Sequence, residues 1–212
     1  LIAVSCHPGL RTLLVDTLQT SAQHFDEETM ETRPAPAPLS PATSFDAACA
    51  NLRRFVLIEA GAAAQMMGFG WRGDPDAPAD YRSLLHAYAR SRMTGAPLPV
   101  SDEHADSTVY GDAEGNLAFR FWHDVTHLRL GRGFDLDGEI EVARAHLDVL
   151  AAAGFPAGTL EFEMLHADTL GQTLCGAATG DFPTDQICFA RLTLTTTLAW
   201  AIRHHLSSST TR

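Results

Sequence analysis

The sequence is poor in positive charge. Fifteen basic residues stand against 26 acidic ones, and the formal net charge is -11. No lysine-rich run occurs. Phosphate backbones are held by clustered Lys and Arg, so this balance argues against a broad nucleic-acid surface. Long apolar runs are also missing. None reaches the ~18 residues that a bilayer span takes, which argues against a membrane protein. Cysteine is sparse: Cys6, Cys49, Cys175 and Cys188 are far apart, and neither a CxxC pair nor a zinc-finger spacing is present. Scattered thiols read as reduced, and the expectation is a cytoplasmic protein. The first residue is Leu1, not Met, so the start reads as trimmed and a removed signal peptide stays open. Internal repeats are absent.

What is present reads as globular. Apolar residues make up 45 % of the chain and charged residues 19 %. At 212 residues the chain is long enough to bury a core without staples. Residues 1–43 read as an N-terminal helix followed by a linker or strap, because Arg33-Pro34-Ala35-Pro36-Ala37-Pro38 forbids helix and favours extended polyproline structure. Residues 44–212 read as a helical domain. Ser44 is a natural N-cap. After it, Phe45, Ala48, Cys49, Leu52, Val56, Ala60 and Ala63 recur at helical spacing up to the glycines that begin at Gly68. Further helices are predicted over 80–93, 116–130, 137–153, 159–175 and 185–206, with 94–111 irregular. The run Leu192-Thr193-Leu194-Thr195-Thr196-Thr197 is β-branched enough to keep a strand open there. The fold class expected is all-α: a bundle of about five to seven helices with an extended Pro-rich N-terminal segment.

The chemistry concentrates in Trp122-His123-Asp124-Val125-Thr126-His127. Histidines four apart on a helix share one face about one turn apart, and two imidazoles so placed can hold one divalent metal. The plain alternative is a pair of surface histidines. On the same helix Ala118, Phe121, Trp122, Val125 and Leu128 form the apolar side, while Arg120 shares the side of His123 and His127. The next helix offers a third ligand. Ile140, Ala143, Leu147 and Leu150 define its buried stripe, Glu139 and His146 fall within or beside it, and Glu141 points away. A carboxylate on an apolar face needs a partner or a cation, so Glu139 is the better ligand candidate. Its alternative role is to meet the dipole at a helix start. If the two helices form a hairpin, His127 and Glu139 lie at similar heights. Asp124 is the candidate general base or holds a ligand. Arg120 steers an anionic substrate or pairs with Asp124 or Glu139.

Three family resemblances follow from these residues. His123, His127 and Glu139 resemble the zincin metalloproteases, with Asp124 where those carry a catalytic glutamate; this implies peptide hydrolysis. Arg82-Ser83-Leu84-Leu85-His86, His123-Asp124 and Ala167-Asp168 resemble the HD-domain phosphohydrolases, an all-helical family. Glu59, Asp124-x-x-His127, Glu139 and Glu163-x-x-His166 resemble the ferritin-like di-metal carboxylate proteins, which would make His166 a ligand as well. An antiparallel hairpin, however, would set Glu139 and Glu163 more than ~10 Å apart in height.

The leading expectation is a divalent-metal-dependent hydrolase. Its metal is zinc, with manganese or iron as alternatives, and its substrate is a small molecule or peptide. A di-metal oxidoreductase and a non-enzymatic helical interaction module with a buried His/Asp network remain as second and third readings. A homodimer is allowed.

Overall fold

The computed structural model describes residues 40–209. The helix and most of the Pro-rich strap expected in 1–43 lie outside the described residues.

Helix α1 spans Phe45–Met67. Ser44 caps it by accepting a hydrogen bond from the Ala47 N–H, and Gly68 ends it in the left-handed conformation at φ 79°. Its buried stripe is Ala48, Leu52, Phe55, Val56, Ala60, Ala63 and Met67. Strand β1, Trp71–Gly73, pairs in parallel with β2, Leu98–Val100. Parallel neighbours need a crossover, and helix α2, Tyr81–Thr94, supplies it. Asp80 and Ser83 start α2 with a reciprocal capping box.

Helices α3, Ala113–Leu130, and α4, Leu136–Ala152, follow. Both begin with the same corner. In Asp112-Ala113-Glu114-Gly115 and in Asp135-Leu136-Asp137-Gly138 the aspartate carboxylate accepts from the glycine N–H at 2.9 Å. In each corner the glycine lies so close to a preceding carbonyl, that of Tyr110 or of Gly133, that a methyl group there would overlap the oxygen. The Asp112 cap also explains why α3 starts three residues before the predicted position 116.

Helix α5 is composite. Leu160–His166, a π-helical segment Ala167–Gly171 and Gln172–Thr179 run on without a break and are counted as one helix. Helices α6, Gln186–Thr195, and α7, Leu198–Ser209, complete seven among the described residues. The sequence predicts one helix over 185–206; the structure divides it at Thr196, whose φ and ψ are -130° and -100°. The threonines explain the division. Thr193, Thr195 and Thr196 each donate a hydroxyl hydrogen bond to the carbonyl four residues back, which competes with the backbone ladder.

The core forms where α1 and α3 pack face to face. Phe55 meets Trp122 edge-on at 5.5 Å between ring centroids, and Trp71 stacks on Phe121 at 4.9 Å. Helix α4 packs on α3 and α5. A smaller cluster of Cys175, Phe189 and Ala201, flanked by Leu192, Leu198 and Ile202, joins α5, α6 and α7. No described helix is long and apolar enough to cross a membrane. The architecture is all-α with a minimal strand pair.

Candidate metal centre

The α3–α4 hairpin builds the site. Its turn is short, and Gly131 at φ 64° reverses the chain immediately after Leu130. The Arg132 N–H then donates to the His127 carbonyl at 3.0 Å. In return the Arg132 carbonyl lies 3.1 Å from His127 Nδ1. A carbonyl only accepts, so Nδ1 carries the proton and Nε2 presents its lone pair to the centre. The Phe134 ring abuts His127 at 4.7 Å.

Three donors converge there. His123 Nε2 and His127 Nε2 are 3.0 Å apart. The Glu139 carboxylate is 3.3 Å from each of them, through Oε2 and Oε1 respectively. Two donors each about 2.0–2.1 Å from one tetrahedral cation would lie about 3.3–3.4 Å apart, so these separations fit a shared divalent ion. Among the described residues this is the one group of three or more such side chains close enough to share a cation. The His127 side chain is fully buried, whereas His123 and Glu139 are each 21 % exposed. The triangle is therefore closed beneath and open on one side.

Electrostatics follow from this burial. Desolvation lowers the His123 imidazole against the pull of Glu139, which favours the neutral ring that a metal requires. Burial raises the Glu139 carboxyl, but the two imidazoles that face it outweigh this and hold the group well below the ordinary carboxylate range. Asp124 is pushed up to about 7 by burial, against the attraction of His127 and Arg120.

No protein-family model matches the chain, and neither does any curated protein or solved structure compared with it. The site's own geometry therefore carries the functional reading.

The remaining sequence candidates lie apart from the triangle. Arg120 pairs with neither Asp124 nor Glu139. It donates to the Ser101 and Glu103 carbonyls at 2.6 Å each, tying down the loop before α3. Beside it lies a cavity of about 260 Å³ lined by Ser101, Glu103, His104, Gln172 and Gln186 among others. Glu141, on the far side of α4, pairs with Arg132 at 2.6 Å. His166 is outside the group. Glu163 accepts from the Gly158 N–H at 3.1 Å and serves the start of α5. Glu59 is raised by burial and feels the charge of Arg129. The ferritin-like set thus does not converge among the described residues. His86 is exposed on α2, and neither it nor Asp168 belongs to the convergent group, so the residues that resemble the HD-domain set do not meet among the described residues either.

Two contacts, of residues the sequence already names, escape the sequence. His146 is fully buried under the centre, with Nε2 3.3 Å from His123 Nδ1 and its ring 3.9 Å from that of Trp122. Its place beside the buried stripe of α4 is the one signal that points to it. Asp168, in the π-helical segment, accepts from Tyr110 Oη at 2.6 Å and from Gln172 Nε2 at 2.5 Å. Burial pushes its carboxyl up to about 6. Tyr110 comes from a region without helical periodicity, so nothing in the sequence joins it to Asp168.

Proposed function

We propose that the protein is a divalent-metal-dependent hydrolase whose cation is held by His123, His127 and Glu139. The observation that carries the reading is the triangle itself: three donors at ligand separations, buried under His127 and open beside His123 and Glu139. A structural metal site would close its fourth position; a catalytic one leaves it free. Zinc is the cation proposed, because a His₂Glu set with an open position suits it. When bound, such a cation supplies Lewis acidity, acidifying a water and polarising the scissile group.

The chain's own groups have definite tasks in this reading. His127 is fixed in the ligating tautomer by the Arg132 carbonyl. Asp124 follows His123 directly on α3 and senses His127, Glu139 and Arg120 electrostatically. It is the proposed proton acceptor. Arg120 lies three residues before His123, about 4.5 Å along the helix axis, and lines a cavity that includes none of the three donors; its proposed role is to meet the polar part of a small-molecule or peptide substrate long enough to reach both cavity and centre.

Elemental analysis of the purified full chain tests the proposal. About one zinc or manganese per chain is expected, lost in a His123→Ala/His127→Ala double variant. Hydrolysis of chromogenic ester, amide and phosphate-ester probes is expected with metal and abolished by chelation. Unchanged metal content in the double variant would defeat the proposal. A specific observation favours a second reading: 3.0 Å between the two Nε2 atoms is also a hydrogen-bond distance. A metal-free protein that folds fully would support that buried network instead.

A further inference from the structure

We propose that His146 is the positioning residue of the centre: it sets the ring of His123 through the His123 Nδ1 to His146 Nε2 hydrogen bond, and cation binding reverses the direction of that bond. This rests on the metal-centre reading above.

The protons available decide the direction of each bond. His127 keeps its proton on Nδ1, facing the Arg132 carbonyl at 3.1 Å. Its Nε2 is therefore an acceptor, and both oxygens of the Glu139 carboxylate are acceptors too. His123 Nε2 lies 3.0 Å from the first and 3.3 Å from the Glu139 Oε2 atom. Of these groups only His123 can donate, so without a cation its proton sits on Nε2. Its Nδ1 is then an acceptor, and the hydrogen bond at 3.3 Å is donated by His146 Nε2–H. That leaves His146 Nδ1 as a bare lone pair. That atom is buried and has no hydrogen-bond partner among the described residues.

A cation takes the place of the inward proton. His123 must then present the Nε2 lone pair and carry its proton on Nδ1. It becomes the donor to His146 Nε2, and the proton of His146 shifts to Nδ1. Each ring keeps one proton throughout, and none is released. Among the described residues the partner that His123 Nδ1 meets is His146 Nε2. Its ring is 0 % exposed and is enclosed by Trp122 at 3.9 Å and Phe119 at 5.6 Å, so its apolar walls hold it in register with His123. Metal-binding histidines commonly donate their second N–H to such an outer partner, which orients the ring. His127 uses a carbonyl for this purpose; His123 uses another imidazole.

The experiment is a zinc titration of the metal-free full chain, followed by long-range ¹H–¹⁵N spectra of the histidine rings and by competition with a chelating dye. In the wild type, saturating zinc is expected to convert His146 from the Nε2–H to the Nδ1–H tautomer. A His146→Leu variant is expected to bind zinc about 10–100-fold more weakly. His146→Gln is expected to recover most of that loss, because its carbonyl accepts from His123 Nδ1–H. A tautomer that saturating zinc leaves unchanged, or a Leu variant with wild-type affinity, overturns this proposal while the metal centre stands. A wild type that takes up no zinc overturns both. The tautomer readout needs no variant, so it decides the matter even if His146→Leu fails to fold.

Discussion

Replacing Asp168 by Asn should change how stability depends on pH. In the folded protein the carboxyl titrates near 6, raised by burial and only partly offset by Tyr110, Arg120 and Gln172; its ordinary value is 3.8. The folded state thus holds this proton more tightly than the unfolded chain does. The associated stability is fully present below pH ~4 and is lost as pH rises through ~6. The gap between the two values corresponds to about 3 kcal/mol, accumulating at about 1.4 kcal/mol per pH unit between pH ~4 and ~6. Asn keeps the shape and an acceptor for Gln172 but does not ionise. Any fixed change in hydrogen bonding shifts the whole curve and drops out of the slope. Urea unfolding of both proteins at several values between pH 4 and pH 8 gives the comparison. The variant should gain on the wild type by about 3 kcal/mol across this range. A difference that stays flat with pH would refute the claim that Asp168 is a desolvated, titrating carboxyl.

Three further outcomes are expected. Gly138→Ala should lower the melting temperature, because overlap with the Gly133 carbonyl costs about 1–3 kcal/mol and outweighs the roughly 1 kcal/mol of helix propensity gained; a higher melting temperature would contradict this. Phe121→Ala, at a side chain with 0 % exposure stacked on Trp71, should destabilise by about 3–5 kcal/mol in chemical denaturation. Zinc at about 100 times its dissociation constant should stabilise the protein by about 2.7 kcal/mol, a rise of about 5–11 °C in calorimetry, and leave the His123→Ala/His127→Ala variant unmoved.

Periodic features were the legible part of this fold. The stripe from Ala48 to Ala63 and the cap at Ser44 announce α1, and glycine punctuation marks the α3–α4 turn. Helical phase alone separates Glu139, which faces the histidines, from Glu141, which meets Arg132. Short features were not legible. Three residues per strand are too few for an alternation to register, so β1 and β2 read as loop. The division of the last predicted helix depends on the bonds that Thr193, Thr195 and Thr196 make. The β-branched run gave a warning of this, but of strand rather than of a break. Contacts between distant segments were least legible. His146 under His123, and Tyr110 on Asp168, depend on how helices are rotated against one another, which no local pattern encodes.

The π-helical segment in α5 acts as a phase shifter. Its i→i+5 bonding takes about one residue more per turn than the α-helix on either side. Faces after Gly171 are therefore turned by about 100° relative to those before Ala167. One continuous rod can thus bury Met164 and Leu165 in the main core and Cys175 in the cluster shared with α6 and α7. Regular α-helical bonding through 167–171 with every residue kept would turn Cys175 away from Phe189 and Ala201, whereas deleting a single residue there would restore a regular helix and leave Cys175 facing its cluster. The C-terminal pair of helices is keyed to the rest of the molecule by one extra residue.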